Sequence, residues 1–499
     1  MTARVVETSS GRIEGRAGAG FQSFLGIPYA APPTGAGRFR PPEPAPAWTG
    51  VRAADAFGPV APQLPSPLEN LLGAAPIVSD EAGCLSLNVW TPDTGGGGRP
   101  VMVWIHGGAF ITGSGSTPWY DGAHFAVNHD VVVVTVNYRL GVLGFTYLAE
   151  LAGPDYQASG SVGILDQAAA LGWVRDNIAA FGGDPGNVTI FGESAGAMCV
   201  GTLLGLPEAS GLFHRAILQS GAASNSLEPD KANQYATELL AALDLGPGDV
   251  ARLQQLPVEA LLEAQGKLAL AYAQRGMMFQ PVVDGSVLER RPIDSVAAGS
   301  VADVPILIGT NRDEWNLFSV MDPRFASTDE AALEAAAAAL FGEGAGAAVS
   351  TYRAGRPGAT PAQILSAMTT DSVFRIPAVR LAEAQQKAGG DAWMYRFDWA
   401  TSAFGGLLGS CHALEIPFVF DNLHQPGASV FVGDQPPGDL ASAMNAAWAA
   451  FARHGRPGGD LGDWAPYEAG TRATMVLDES IGVREDPMGE ERALWEGLR

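Results

Sequence analysis

Val188-Thr189-Ile190-Phe191-Gly192-Glu193-Ser194-Ala195-Gly196-Ala197 is the stretch whose reading decides the fold. Four β-branched or aromatic residues in a row predict a buried strand. Ala195 to Leu204 is a run of small, helix-compatible residues, and Gly192, Ser194 and Gly196 stand between the two at G-x-S-x-G spacing. Strand, glycine-flanked serine, helix is the order of a nucleophile elbow. So tight a turn strains the serine backbone, and a side chain at Gly192 or Gly196 would collide with the neighbouring strand or helix. The strain holds the hydroxyl out at the carboxyl end of the sheet, above the helix N-terminus. A glycine-rich chain produces a lone G-x-S-x-G by chance; here the flanking strand and helix meet what the motif requires.

Working outward, Val101 to Ile105 and Val131 to Asn137 are continuous apolar runs of the kind central strands show. Asp166 to Phe181 reads as a helix that leads into the elbow strand. Its apolar face is Leu165, Ala169, Trp173, Val174 and Ile178, and it stops at Gly182-Gly183. Downstream, Phe213 to Gln219, Val304 to Ile308 and Trp393 to Phe397 predict further strands, and Leu440 to His454 a long helix ending at Gly455. This alternation implies an α/β fold with a large, mostly parallel central sheet flanked by helices. Two stretches depart from it: 229–275, and the run from Ser327 through Leu340, where Ser327-x-x-Glu330 resembles a capping box. Both predict helical insertions forming a cap over one end of the sheet. In the first hundred residues, Arg4 to Thr8, Gly11 to Gly15 and Phe21 to Phe24 suggest a small antiparallel meander. The proline-rich Phe24–Pro33 and Arg38–Pro42 forbid helix and predict extended surface segments; Cys84 to Trp90 restores strand character. With no internal repeat or linker, residues 1–499 are expected to form one domain.

A net charge of −23 excludes a nucleic-acid partner, since phosphate binding needs a basic surface, and serves solubility instead. No uninterrupted apolar run approaches the roughly 18 residues of a membrane span. Met1 to Glu7 lacks an apolar core of the kind export signals carry. Three cysteines, Cys84, Cys199 and Cys411, cannot build a disulfide framework, so a reducing, cytoplasmic location is the default expectation. No H-E-x-x-H, C-x-x-C, G-x-G-x-x-G or Walker pattern is present, and no metal, nucleotide or other cofactor is expected.

A serine hydroxyl attacks only when a base takes its proton, and the base needs an orienting acid. In elbow proteins the chain order is Ser, acid, His. His106, His124 and His129 precede Ser194, and His214 follows too closely to leave room for the acid. His412, His424 and His454 remain. His454 ends a helix before Gly455, and His424 reads as part of a surface turn. His412, in a loop of small residues after the late strand, is favoured. For the acid, Asp313 and Glu314 both lie just past a parallel strand, where ligand chemistry collects in open sheets, and physics does not choose between them. The loop His106-Gly107-Gly108-Ala109-Phe110 follows a central strand; Gly108 and Ala109, joined by Ala195, would donate N–H groups to an oxyanion. Phe110, Trp119, Phe279, Trp315, Phe318, Phe404 and Leu408 lie near these segments in sequence and are candidate pocket linings, with core packing the competing role for each.

With these residues assembled, the chain resembles the type-B carboxylesterase family. The resemblance runs over nearly its whole length, through Phe24-x-Gly26-Ile27-Pro28-Tyr29-Ala30, Cys84-Leu85-x-Leu87-Asn88-Val89, His106–Phe110 and Asn137-Tyr138-Arg139-Leu140-Gly141. It continues in Asp184-Pro185-x-Asn187-Val188-Thr189, the elbow, Ala216-Ile217-x-Gln219-Ser220-Gly221 and Pro281-Val282-Val283-Asp284-Gly285. The resemblance implies an α/β-hydrolase fold, hydrolysis of small-molecule esters through an acyl-enzyme, and no cofactor. It also implies Ser194 as nucleophile, Glu314 rather than Asp313 as acid, His412 as base, Gly108, Ala109 and Ala195 as oxyanion hole, and Ser220 as a supporting hydroxyl. The chain departs from the family pattern in places. Cys84 has no upstream cysteine to pair with, no tryptophan falls between Val60 and Cys84 to hold a choline, and Trp315 stands where a glycine is usual. The Gly108-Ala109 loop resembles that of members accepting esters of bulky alcohols. Two rival readings are an amidase or carbamate hydrolase on the same residues, and a non-catalytic binding relative; the retained triad argues against the second. A monomer is compatible with the sequence, which does not set the oligomeric state.

Overall fold

The computed structural model describes residues 4–66, 78–272, 276–459 and 461–498. Its strands are β1 (Val5–Thr8), β2 (Gly11–Glu14), β3 (Arg16–Ala17), β4 (Gln22–Pro28), β5 (Val51–Ala53), β6 (Ser86–Thr91) and β7 (Arg99–Ile105), followed by β8 (Val132–Val136), β9 (Gly183–Glu193), β10 (Arg215–Gln219), β11 (Ile306–Asn311), β12 (Ala392–Phe397), β13 (Ala473–Leu477) and β14 (Gly482–Glu485). Eleven of them form one sheet in the order β14-β13-β12-β11-β10-β9-β7-β8-β6-β4-β3. The stretch from β8 to β13 is parallel, while β6, β4 and β3 on one edge and β14 on the other run antiparallel.

The central strands read as unbroken apolar runs because both of their faces are covered. Val101, Val103 and Ile105 of β7 feed one hydrophobic core, and Met102 and Trp104 the other. Neighbouring strands alternate the same way: Ile306 and Ile308 of β11 go to the first core and Leu307 to the second. Each such side chain contributes about 1.5–3 kcal/mol through burial. The helix Val162–Asn177, continued as a 3-10 turn to Phe181, packs in the first core and begins four residues before the expected start. It is buried nearly all round rather than on one face, and Leu165 and Ala169, expected on the buried face, are only half-buried.

The amino-terminal region departs from expectation. The small sheet is β1-β2-β5, mixed rather than purely antiparallel, because β2 and β5 pair parallel. Phe21–Phe24 does not belong to it: β4 enters the large sheet against β6. The proline-rich segment is extended as expected but not superficial, since Phe24, Ile27, Tyr29 and Ala30 are buried.

Both insertions are helical and lie at the carboxyl end of the parallel strands. In the first, helices Pro229–Ala242 and Val258–Tyr272 join the first core; the last three residues of the expected stretch 229–275 fall outside the described residues. Gln265 Oε1 accepts from Val142 N (2.8 Å), next to Gly141, whose N–H bonds to the Phe110 carbonyl (2.7 Å), so this insertion sits on the loop after β7. The buried Arg38 anchors its approach. The guanidinium donates to Glu81 Oε1 and Oε2 at 2.7 and 2.6 Å and to the carbonyls of Gln254 and Leu256 at 3.0 and 2.8 Å. The second insertion builds its own cluster from Leu333, Phe341, Tyr352, Ile364, Met368 and Trp495. Its first helix is capped by Asp329, which accepts from Ala332 N, and not by Ser327. Among the described residues one helical run, Glu330–Ala354, is long and apolar enough by length and composition to cross a membrane. It is divided at Gly342 (φ +56°), and Leu333, Ala337, Phe341, Ala348 and Tyr352 are buried in that cluster.

Candidate active site

Ser194 follows β9 (Gly183–Glu193) and precedes the helix Ala195–Leu203, with φ 56° and ψ −127°. A non-glycine residue held there stores about 1–3 kcal/mol, which the surroundings must maintain. They do so by close packing. A Cβ on Gly196 would lie 2.0 Å from the Ile105 carbonyl oxygen, and one on Gly192 2.6 Å from the same atom. Ser194 N donates to the Gln219 carbonyl (2.9 Å), pinning the turn to β10. The residues around it are buried, whereas Ser194 itself is half-buried and open to a ligand.

The next two parallel strands continue the set. Beyond β10, Ser220 (φ 53°) bonds through its N–H to Gly309 of β11, and its hydroxyl is buried with no hydrogen-bond partner among the described residues. Beyond β11 the two candidate acids part company. Asp313 Oδ2 accepts from Arg312 Nε and Nη2 (3.1 and 2.9 Å) and from Ser410 N (3.0 Å), so it ties down the loop after β12. Glu314, fully buried, accepts from Asn311 N at Oε1 (2.7 Å) and meets His412 Nδ1 at Oε2 (2.6 Å). Of the two, Glu314 is the one in contact with His412. His424 and His454 are exposed, and His454 sits in the last helical turn before Gly455.

The other ring nitrogen of His412 faces Glu193, with Oε1 3.0 Å from Nε2 and no hydrogen-bond geometry for that oxygen. No hydrogen bond joins Nε2 to the Ser194 hydroxyl among the described residues. A third buried carboxylate, Glu415, accepts from Gln219 Nε2 (3.0 Å) and Asn311 Nδ2 (2.6 Å). Burial works to discharge the imidazole, but the negative field of Glu193, Glu314 and Glu415 outweighs it and holds His412 up at about 9. Burial pushes the Glu193 carboxyl to about 8 against the pull of His412, and raises Glu415 with help from the Glu314 charge. The pair at Nε2 thus retains a proton above the usual imidazole range.

The loop after β7 closes over the elbow. A Cβ on Gly107 would lie 3.0 Å from Ser194 Cβ, and Gly108 (φ +108°) has the Thr112 carbonyl where its own Cβ would go. Ala109 and Phe110 also take positive φ, 53° and 63°. Among the described residues the N–H groups of Gly108, Ala109 and Ala195 donate to no protein acceptor. His106 is no candidate base: buried and stacked on Tyr138 at 4.6 Å, it is driven down to about 4 by desolvation.

The candidate pocket residues separate. Trp315 and Phe318 pack together (4.8 Å), and the Phe318 ring lies 5.2 Å from His412. Phe110 instead packs edge-on against Phe145, and Phe279 is in the same core. Trp119 and Leu408 are buried in the second core, and Phe404 lines a separate groove with His424 and Val430. Phe374, which sequence reasoning missed, stands 4.8 Å from His412, ring to ring. Glu193 was missed too, although it is the residue next to the serine.

The carboxylesterase family model matches residues 2–495. The chain is 40% identical over 502 residues to the para-nitrobenzyl esterase of Bacillus subtilis (strain 168), covering 99% of this chain and 98% of that one. It is 36% identical to the phenmedipham hydrolase of Pseudarthrobacter oxydans, with 97% of each covered. Among solved structures, the Geobacillus stearothermophilus carboxylesterase EST55 at pH 6.2 superposes with a TM-score of 0.89 at 46% identity, covering 98% of this chain and 99% of that one. A PNB esterase structure superposes with a TM-score of 0.87 at 40% identity, with the same coverage.

Proposed function

This chain belongs to the carboxylesterase family, and from that premise we propose that it hydrolyses small carboxylic esters through an acyl-enzyme on Ser194, with His412 as base and Glu314 as its orienting acid. The observation that carries this reading is the 2.6 Å contact between His412 Nδ1 and Glu314 Oε2, joining residues 98 apart, both buried, beside a strained serine. Glu314 fixes the tautomer, so Nε2 is the basic nitrogen. Nε2 takes the Ser194 proton as the hydroxyl attacks the ester carbonyl, and gives it to the departing alcohol. Water, activated the same way, then releases the acid. The hydroxyl–imidazole hydrogen bond forms as the substrate loads, as is common where the unliganded geometry is loose. The free N–H groups of Gly108, Ala109 and Ala195 stabilise the oxyanion, each worth about 3–4 kcal/mol in the transition state, and Ser220 supports the site from the end of β10. One α/β-hydrolase domain is the unit that acts, and three unpaired buried cysteines favour a reducing compartment such as the cytoplasm.

The test compares wild type with Ser194→Ala on a p-nitrophenyl ester and its anilide analogue. Ester turnover, abolished by the substitution, supports the reading. Equal or faster anilide turnover would replace it with an amidase, and ester turnover surviving in the variant would remove Ser194 from the reaction.

A further inference from the structure

Pro377 lies inside a helical stretch. A proline there has no N–H for the carbonyl four residues back, that of Val373, and its ring would press against that carbonyl in a regular α-helix. The chain meets this with a π turn. The α-helix Pro361–Thr370 gives way to Asp371–Arg375, where Ile376 N bonds to the Asp371 carbonyl five residues back, and the α-helix resumes over Ile376–Lys387. One extra residue in a turn rotates the side chains that follow by about 100° relative to a continuous α-helix. Isolated π turns of this kind are frequent at functional sites.

The turn is held by a buried network. Asp371 accepts from Arg375 Nε (2.5 Å) and Nη2 (2.6 Å) and from the Tyr352 hydroxyl. Trp495 Nε1 in turn donates to the Tyr352 oxygen (2.9 Å), and Arg375 Nη1 to the Pro487 carbonyl (3.3 Å). Its two ends touch the site. Thr370 Oγ1 accepts from Trp315 N (3.0 Å), one residue past Glu314. Phe374 is thrown against the imidazole, its ring centre 4.8 Å from that of His412 and tilted 36°. Phe318 lies 5.2 Å from the same ring, and the two phenyl rings are within 10° of parallel.

The hydrogen bond from Nδ1 to Glu314 fixes one edge of the imidazole but leaves the ring plane free to swing about that bond. Flat, dry surfaces restrict the swing. We propose that Phe374, delivered by the π turn and acting with Phe318, is a positioning residue that sets the plane of the His412 ring and so the aim of Nε2. Phe374 needs no contact with substrate for this. The inference rests on the reading of His412 as the base.

The experiment measures kcat and KM on p-nitrophenyl acetate for wild type, Phe374→Leu, Phe374→Met, Phe374→Tyr and His412→Ala, with the low-field proton NMR signal of the short His412–Glu314 hydrogen bond recorded for each. Phe374→Leu is expected to lower kcat by about tenfold or more, with KM within about twofold. Its low-field signal should broaden or vanish, and Phe374→Tyr, which keeps a flat ring, should restore both readouts. Phe374→Met carries the test if the leucine variant fails to fold. Wild-type kcat with an intact low-field signal in the leucine and methionine variants would overturn the inference, and so would a rise in KM alone, which marks a pocket wall. If these variants behave as wild type while His412→Ala is inactive, only this inference fails. If His412→Ala stays active, the reading of the base fails with it.

Discussion

At His412 each ring nitrogen faces a different carboxylate, and the two carboxylates are held differently. Glu314 receives a backbone N–H as well as the imidazole, whereas Glu193 Oε1 has only the imidazole beside it. Glu314→Gln should therefore cost about 10³–10⁴ in kcat, the scale seen when an orienting acid is lost. Asp313→Asn should cost far less, since Asp313 is occupied with Arg312 and Ser410; steady-state kinetics on one ester separates the two. The proposed base works only when neutral, and His412 is held up at about 9, so kcat/KM should climb on the alkaline side of neutrality. Glu193→Gln removes a negative charge from Nε2 and should move that limb to lower pH. The same shifts act on stability. His412 and Glu193 are both raised in the folded protein, to about 9 and about 8, so each contributes stability below its unfolded value that is lost as pH rises through the folded one. Melting temperature should fall from pH 7 to 9.5, and fall less in Glu193→Gln. Strand position alone did not separate the two adjacent acids, because both follow the same strand; the family resemblance pointed to Glu314. The neighbouring Arg312, which claims Asp313, was the unused signal.

At the scale of elements, β7, β9, β10, β11 and β12 deliver the site because their carboxyl ends lie side by side. Ile105 is in register with Gly192, Glu193 with Gln219, and Gln219 with Gly309. The elbow is where this packing is tightest. Gly196→Ala should cost at least about 3 kcal/mol, because the new methyl meets a backbone carbonyl at 2.0 Å and neither side can yield. Urea unfolding measures it, and a loss below about 1 kcal/mol would contradict the packing described. Central strands and the elbow were legible because apolar runs and glycine spacing are local signals. β4 was misjudged because prolines announce extended backbone without saying whether it is buried; Pro28 sits at the end of the strand, where a missing N–H is tolerated. The π turn escaped for a related reason: Pro377 marks a break in the helical ladder, but only packing shows that Phe374 ends beside His412.

Over the whole molecule, two hydrophobic cores sandwich the large sheet and the second insertion adds a third cluster that recruits Trp495. The fold needs no covalent staple. Cys84, Cys199 and Cys411 are free and buried, and burial raises all three thiols, Cys199 to about 12. Melting temperature should accordingly be the same with and without reductant. Thiol titration should read near zero in the native protein and three per chain after denaturation. A native disulfide, or a fast-reacting thiol, would contradict this. The central claim, that Ser194, His412 and Glu314 act as one unit, is tested most directly by labelling with a fluorophosphonate probe, with the adduct mapped by peptide mass spectrometry in wild type and His412→Ala. The account predicts one adduct per chain, on Ser194, formed at least about 10³-fold more slowly in the variant. An adduct on another residue, or equal labelling rates in the two proteins, would contradict it.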